Sequence, residues 1–296
     1  MKHRLNNRRE HMKLVALMVG IVVAAAAGAA EPSYKSDVSK WQEVVQPSTN
    51  DQGSFWVWNY AANRSRFEWR VFQVDGRVHA QLTGEGFEKP KIQPKFAAKA
   101  GRFRKATAFA EVDDGWLVGF NQGEFGAALY WFSSNGKENC KISNHQVVDF
   151  LNLSNGVHAI EGLAHLGISR GSLIRIARTS GRWHAISVVK LPFAPYAVSV
   201  RKDESLLITL SDSLVAVGPD HKVDTLLGDA RWGDFYPGSS ILDLDEQKLY
   251  IGMRQFVGEF NLTSKALRFL IPGQEFLEKL PKENEDRIRK QYGGEK

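Results

Sequence analysis

The side chains best suited to chemistry in this chain are four scattered carboxylates, Glu124, Glu161, Asp229 and Asp234. Two carboxylates held roughly 5 to 9.5 Å apart can cleave a glycosidic bond, one of them acting as acid and the other as base or nucleophile. Such chemistry requires a fold that brings two of the four together across one channel. If they point outward instead, hydrolysis loses its support.

A metal site is the second chemistry to consider, and His158, Glu161 and His165 come nearest to one. Their spacing would align them on a helix, but this stretch is predicted to be a strand, in which His158 and Glu161 point to opposite faces. The chain also lacks a phosphate-binding loop, a dinucleotide fingerprint and a paired-cysteine motif. We therefore expect no metal site, no cofactor and no catalytic residue of these kinds.

The N-terminus predicts export. A basic start is followed by Leu14 to Ala30 without a charge, and small residues precede Glu31-Pro32, as in a secretory signal peptide. An uncleaved membrane anchor is the alternative, but this stretch is short and rich in Ala where a span needs about 20 apolar residues. Cleavage after Ala29 or Ala30 would leave a periplasmic or secreted chain without a stable membrane span. Translation could begin at Met1 or at Met12.

The net charge limits which partners can be expected, and the cysteine content limits what can stabilise the fold. The net charge of +6 falls to +2 without residues 1–30, so nothing in the balance demands nucleic acid. The one cysteine, Cys140, excludes an internal disulfide. The about 266 remaining residues are ample for a hydrophobic core.

The elements that must position any site are short β-rich runs joined by tight turns. They are clearest in two units that begin at Tyr196 and Ser239, 43 residues apart, each with four apolar runs separated by hairpin-length turns. Further units are predicted from Arg104 to Ile142 and from Val147 to Leu191. Trp41 to Thr83 forms the least regular unit, with Ser54–Tyr60, Phe67–Val74 and Arg77–Leu82 as predicted strands.

This repeat predicts an all-β protein, a β-propeller of four-stranded antiparallel blades, five in number or six if strands have been merged. A β-sandwich does not need five similar sheets, and the repeat of a β-solenoid is much shorter. The predicted organisation is a signal peptide over residues 1–30, a propeller over 31–272 and a charged C-terminal tail over 273–296. The tail is predicted to be a frayed helix or disordered.

In a propeller, the loop between the second and third strands of each blade opens on the same face as the loop into the next blade. We call this the loop face. Alignment of the second strands predicts that their ends surround the channel mouth with Tyr60, Asn121, Ser211 and Arg254, with His165 one residue beyond. Two inter-blade loops add features to this face: Gly84–Arg102 is long and basic, and Gly228–Gly238 carries Trp232 and Tyr236. The predicted ligand-binding residues are Tyr60, Asn121, His165, Ser211, Trp232, Tyr236 and Arg254.

Runs such as Lys248-Leu-Tyr-Ile-Gly-Met-Arg resemble the blades of bacterial secreted β-propeller proteins, over roughly Trp41 to Ile271. The resemblance implies the fold and not a reaction. The leading hypothesis is a non-enzymatic binding module of the cell envelope for a protein or a glycan. The alternatives are a glycan hydrolase with paired carboxylates, and an inhibitor of a secreted enzyme or toxin that uses Gly84–Arg102 as a protruding loop. The sequence gives no indication of the oligomeric state.

Overall fold

The computed structural model describes residues 34–83 and 93–293, which form five antiparallel sheets and two α-helices. The signal peptide predicted over residues 1–30 lies outside the described residues, as does the first half of the Gly84–Arg102 connection. The chain begins with β1 (Lys35–Asp37), β2 (Gln42–Val44), α1 (Gln52–Asn63), β3 (Glu68–Val74) and β4 (Arg77–Thr83). The first sheet, blade 1, has the strand order β1-β4-β3.

The other four sheets follow the chain in order, each built on a meander of four strands, and the last sheet has a fifth strand from the N-terminal segment. Blade 2 contains β5 (Ala108–Val112), β6 (Gly115–Asn121), β7 (Ala127–Ser133) and β8 (Asn139–Ser143). Blade 3 contains β9 (Val147–Leu153), β10 (Gly156–His165), β11 (Ile168–Thr179) and β12 (Arg182–Leu191). Blade 4 contains β13 (Pro195–Val200), β14 (Leu206–Leu210), β15 (Leu214–Val217) and β16 (Val223–Leu227). Blade 5 contains β17 (Ser239–Leu242), β18 (Lys248–Gly252), β19 (Val257–Asn261) and β20 (Leu267–Ile271).

The predicted propeller architecture is confirmed by this series of blades. Successive blades pack through their first strands, β5 on β9, β9 on β13 and β13 on β17, and β17 packs on β3 of blade 1. Across the described residues the sheets do not close into a ring. The tight turns form where the sequence predicts them: Asp75-Gly76 and Ser180-Gly181 have positive φ at both positions, as a two-residue hairpin turn requires.

The core lies between the blades, and the second strand of each blade carries most of it. Every residue of β14 is buried, because both of its faces are covered by neighbouring blades. In β6 the first six residues are buried and only Asn121, at the loop face, is partly exposed. Strand β6 is therefore a continuous apolar run that ends in a polar residue, and it delivers the Asn121 side chain to the loop face.

The strand predicted over Ser54–Tyr60 is wrong, because these residues lie in helix α1. The Asp51 side chain caps the helix by accepting a hydrogen bond from the Ser54 N–H at 3.1 Å. Phe55 and Ala62 are buried on one helical face, and Trp58 stacks on Phe256 with 5.1 Å between ring centroids. Tertiary packing against blade 5 thus overrides the β preference of the aromatic residues in this stretch.

The C-terminal segment is packed and contains a second helix, α2 (Lys282–Tyr292). Ile288 of α2 is buried, and Tyr292 stacks on Trp56 of α1 with ring centroids 5.0 Å apart. Arg289 Nη1 donates to Ser54 Oγ at 2.9 Å. Before the helix, Phe276 packs against the ring of Trp69 in blade 1. The segment predicted to be a frayed helix or disordered thus contains a helix that is docked on α1.

The N-terminal segment joins the first and last blades. Strand β1 pairs with β4 of blade 1, whereas β2, only a few residues later, pairs with β20 and becomes the fifth strand of blade 5. Trp69 Nε1 of blade 1 donates to the Gln255 carbonyl of blade 5 at 3.1 Å. Within the described residues, neither helix is long and apolar enough to cross a bilayer.

Candidate functional site

Blades 2 and 3 meet at the loop face around a polar cavity of about 360 Å³. Its walls come from the connection before blade 2, from the loop after β6, from the connection between the two blades and from the β10–β11 hairpin. We call it the Arg170 pocket and define it by four lining side chains, Arg102, Glu124, Gln146 and Arg170. Two guanidinium groups at one polar cavity make it a candidate site for an anionic ligand.

Gln146 is the fixed element of the Arg170 pocket, since only 4% of its surface is exposed. Its Nε2 donates to the Gly123 carbonyl in blade 2 at 2.9 Å, and its Oε1 accepts from Arg170 Nη2 in blade 3 at 2.6 Å. Its backbone carbonyl accepts from the Gly162 N–H at 3.0 Å. One buried amide therefore ties together the two blades that form the cavity and orients the guanidinium of Arg170.

Arg170 is also held by a carboxylate. Its Nη1 lies 3.8 Å from Glu161 Oε2, and Glu161, which is buried, accepts a 2.5 Å hydrogen bond from Ser172 Oγ. A register shift between Ile160 and Glu161 in the pairing with β9 marks a bulge at this position. The Arg170 side chain is nevertheless 56% exposed, so a guanidinium fixed on its inner side still faces solvent.

The outer wall of the pocket is fixed by a contact between two loops. Glu124, in the loop after β6, places Oε2 against Nε2 of His165 at the end of β10. Arg102 lies against Gly126, where a side chain would collide with its guanidinium. Gly126 has φ +111°, a conformation that favours glycine. The short polar loop after β6 therefore carries a carboxylate on one side and accommodates an arginine on the other.

A second polar cluster lies where blades 5 and 1 meet. Arg254 Nη1 donates to the Asn63 carbonyl at 2.6 Å, and its guanidinium lies 4.6 Å from the centroid of the Tyr236 ring. Burial raises the pKa of Glu68. The positive charge of Arg254 favours the carboxylate and opposes part of this rise. Burial also raises the pKa of Tyr196, with a further contribution from the nearby Tyr236 and Asp234. In this cluster the Tyr236 ring is exposed, and the Arg254 guanidinium already donates a hydrogen bond to a backbone carbonyl oxygen.

The structure distributes the predicted ligand-binding residues over several places. Asn121 and His165 lie beside the Arg170 pocket, and Ser211 lies between blades 3 and 4, where its Oγ is 2.9 Å from Ser169 Oγ. Tyr236 and Arg254 form the second cluster. Asn121 accepts from the Gly123 N–H through its side-chain oxygen at 3.0 Å, and so shapes the loop that carries Glu124.

Two of the predicted residues lie elsewhere. Tyr60 is on helix α1 and not at the end of a strand, and its hydroxyl is 3.4 Å from that of Tyr292. Trp232 has no exposed surface, because it packs in the core of blades 4 and 5 and donates from Nε1 to the Leu210 carbonyl at 2.8 Å. A ligand on the folded protein could not reach Trp232.

Several residues of the pocket escaped the sequence-based predictions. Gln146 and Arg170 were missed, although Gln146 directly precedes the first strand of blade 3, a position that opens on the loop face. The sequence-based prediction that the chain has no Gly-x-Ser-x-Gly pattern, the signature of a nucleophile elbow, is also wrong, because the pattern is present at Gly167 to Gly171. Here the pattern spans the turn and start of an antiparallel hairpin, not a strand-turn-helix. Ser169 Oγ accepts from the Ala194 N–H at 2.9 Å and contacts Ser211, so its hydroxyl is engaged structurally.

Comparisons with known proteins give similarity in structure only. No protein family model matches the chain, and no curated protein sequence matches it. Similar solved structures include virginiamycin B lyase from Staphylococcus aureus, at 13% identity and TM-score 0.39 over 57% of this chain and 56% of that one. The extracellular domain of a one component system from B. thetaiotaomicron has 12% identity and TM-score 0.44 over 72% of this chain and 28% of that one. PorZ, a surface component of the type-IX secretion system of Porphyromonas gingivalis, has 10% identity and TM-score 0.40 over 72% and 31%.

These are bacterial proteins with propeller-like structures. This chain spans about half of the lyase and less than a third of the other two proteins. At such identities the likeness concerns the fold and leaves the site to be argued from its own residues.

Proposed function

We propose that the protein is a non-enzymatic binding module that takes an acidic glycan at its loop face, with a carboxylate of the glycan in the Arg170 pocket. One observation carries the proposal: Arg102 and Arg170 line one polar cavity, and Arg170 is oriented by the buried side chain of Gln146. A guanidinium can donate two parallel hydrogen bonds to a carboxylate, which gives both affinity and orientation.

The size and polarity of the cavity favour a sugar acid over an apolar ligand. Its volume of about 360 Å³ lies near the lower end of the range for small-molecule sites, roughly 300 to 1,000 Å³. Glycine, amide and charged side chains make up most of its wall. A uronic acid unit matches this lining, since its carboxylate would meet the guanidinium groups while its hydroxyls find amide and backbone partners.

Three of the four candidate carboxylates are held by neighbouring side chains, which favours binding over hydrolysis. Glu124 contacts His165, and Glu161 is held by Ser172 and Arg170. Asp229 accepts two hydrogen bonds from Arg231, at 2.9 and 2.8 Å, and these hold the pKa of Asp229 below its usual range. A glycosidase acid instead needs a carboxyl group whose pKa is raised.

The proposed context is the cell envelope. A signal peptide over residues 1–30 would direct the chain to the periplasm or outside the cell, and the propeller and C-terminal segment would act there as one unit. An inhibitor that acts through Gly84–Arg102 receives no comparable support, because residues 84–92 lie outside the described part of the chain.

The test is binding of the chain from Glu31 onward to a panel of acidic and neutral oligosaccharides, measured by calorimetry for each ligand that an array selects. Arg170→Ala should weaken binding of an acidic sugar by roughly tenfold to a hundredfold, since a hydrogen bond to a charged group contributes about 1.5 to 3 kcal/mol. Arg170→Lys should recover only part of this loss, because lysine keeps the charge and loses the paired donors.

Arg182→Ala is the matched control, because Arg182 is an exposed arginine of the same blade at its opposite end. It should bind like the unaltered protein. Equal affinity of Arg170→Ala and Arg182→Ala would contradict the proposal, as would a preference for neutral sugars.

A further inference from the structure

The β10–β11 hairpin of blade 3 ends in apolar side chains that are largely exposed in the described part of the chain. Its two strands are among the longest of the described residues, with 10 and 12 residues. At its turn Leu166 is 89% exposed and Ile168 is 54% exposed. Phe125, in the loop after β6 of blade 2, is 73% exposed. We call these three side chains the apolar tips.

The apolar tips belong to one place on the surface. Glu124 and His165 contact each other, and Phe125 and Leu166 are the next residues in sequence. Eight large hydrophobic side chains are exposed among the described residues, and three of them are these neighbours. Single exposed apolar residues are ordinary, but a local group of large ones marks an interaction surface.

The backbone at the turn gives a second indication. Leu166 has φ +43° and Gly167 has φ +82°, the conformation of a two-residue hairpin turn in which Asn-Gly is preferred. A leucine is unfavourable there, and its side chain contributes almost no buried surface in return. The turn therefore carries an exposed leucine at a position where asparagine would be better suited to folding.

A basic segment meets the apolar tips at Arg102, which lies against Gly126, the residue after Phe125. Four exposed cations occur in residues 99–105 of the connection that leads into blade 2, and this connection lines the Arg170 pocket through one of them. They are Lys99, Arg102, Arg104 and Lys105. The acidic groups nearby are engaged within the fold, because Glu124 contacts His165 and Glu161 is buried against Ser172 and Arg170.

We propose that this edge of the loop face docks on an anionic phospholipid surface, with the apolar tips inserted among the headgroups and the basic segment against the lipid phosphates. Charge complementarity selects this partner. The exposed apolar side chains are flanked by cations, and the local carboxylates are already paired. This arrangement matches a bilayer surface, in which anionic headgroups cover an apolar interior. The proposal shares Arg102 with the Arg170 pocket but does not use the buried Gln146 anchor, so separate variants test lipid docking and glycan binding.

The experiment is co-sedimentation of the chain from Glu31 onward with vesicles of equal parts phosphatidylglycerol and phosphatidylcholine, and with vesicles of phosphatidylcholine alone. Binding to the anionic vesicles should exceed binding to the neutral ones and should fall as salt is added, because exposed charges are screened. Leu166→Asn should lower the partition coefficient by about tenfold, the effect of losing one large buried apolar side chain. Arg104→Glu combined with Lys105→Glu should lower it by at least about tenfold, since each cation near an anionic surface contributes about a fivefold factor.

Two controls keep the result specific. Leu244→Asn removes another exposed leucine, in the turn between β17 and β18 on the opposite face, and should bind vesicles normally. Gln146→Ala disturbs the Arg170 pocket and should weaken sugar binding without changing vesicle binding. Equal loss in Leu166→Asn and Leu244→Asn, equal binding to neutral and anionic vesicles, or no vesicle binding would each overturn the proposal. Vesicle binding that survives in a protein without sugar affinity would leave this proposal intact and refute the previous one.

Discussion

Leu166→Asn should make the folded protein more stable, although it replaces a hydrophobic residue by a polar one. A residue with a Cβ in the left-handed conformation costs about 1 to 2 kcal/mol, and asparagine tolerates that conformation better than leucine does. Relief of roughly half of this cost is a gain of about 0.5 to 1 kcal/mol. The loss is small because Leu166 is 89% exposed, so it forfeits only about a tenth of the ~2 kcal/mol that full burial of leucine provides.

The net gain of about 0.5 kcal/mol corresponds to a rise in Tm of roughly 1 to 2 °C for a domain of this size. Urea unfolding followed by tryptophan fluorescence measures the same quantity, with an unchanged m value as the sign that only the folded turn is affected. Leu166→Ala is the matched control, because it removes the same apolar surface but lacks the short polar side chain with which asparagine hydrogen-bonds locally in the left-handed conformation. If Leu166→Asn is no more stable than Leu166→Ala, backbone relief at this turn does not occur and the reasoning fails.

Three further outcomes are expected. Trp232→Ala should lower the free energy of unfolding by about 3 to 5 kcal/mol in urea denaturation, because it empties a fully buried site; an effect below about 1 kcal/mol would contradict the core assignment. Ile288→Ala should cost about 2 kcal/mol and lower the Tm, since Ile288 is the buried residue of α2, whereas Lys290→Ala on the same helix should be neutral. Burial lowers the pKa of His158, so the folded state disfavours the protonated imidazole. The contribution of the neutral His158 to the free energy of unfolding is therefore present above pH 6.5, the ordinary pKa, and is lost as the pH falls below that value. The urea midpoint should therefore fall between about pH 7 and pH 5.5 by more in the unaltered protein than in His158→Gln, and parallel pH curves would refute this.

Most of the blades could be predicted from the sequence because their determinants are local. The residue types of the turns Asp75-Gly76 and Ser180-Gly181 predict hairpins, and the nearly continuous apolar run of β14 indicates a strand that is covered on both faces. Helix α1 could not be predicted in this way, because Phe55, Trp56, Val57 and Trp58 all favour strands locally. Its formation depends on the Asp51 cap and on the packing of Trp58 against Phe256, some two hundred positions away in the chain.

The candidate site could be predicted only in part for a related reason. Alignment of equivalent strand ends places Asn121, Ser211 and Arg254 at the loop face without any knowledge of distances. Gln146 is different, because its role consists of two hydrogen bonds to separate blades, and neither partner is adjacent in sequence. Trp232 shows the opposite error, since an aromatic residue in a loop suggests a ligand surface while its indole fills the space between two blades.

The placement of β2 has a consequence for how the chain reaches its final state. This N-terminal strand completes the outer edge of the last blade by pairing with β20, while β1, just before it, pairs within the first blade. During synthesis β2 emerges early and must wait for its partner until the chain is almost finished. Its closure is therefore a late event of high contact order, and the exposed edge of β20 stays available for wrong pairing until then. Conditions that slow this step should favour aggregation through the last blade, and the first and last blades should unfold together once the N-terminal segment detaches.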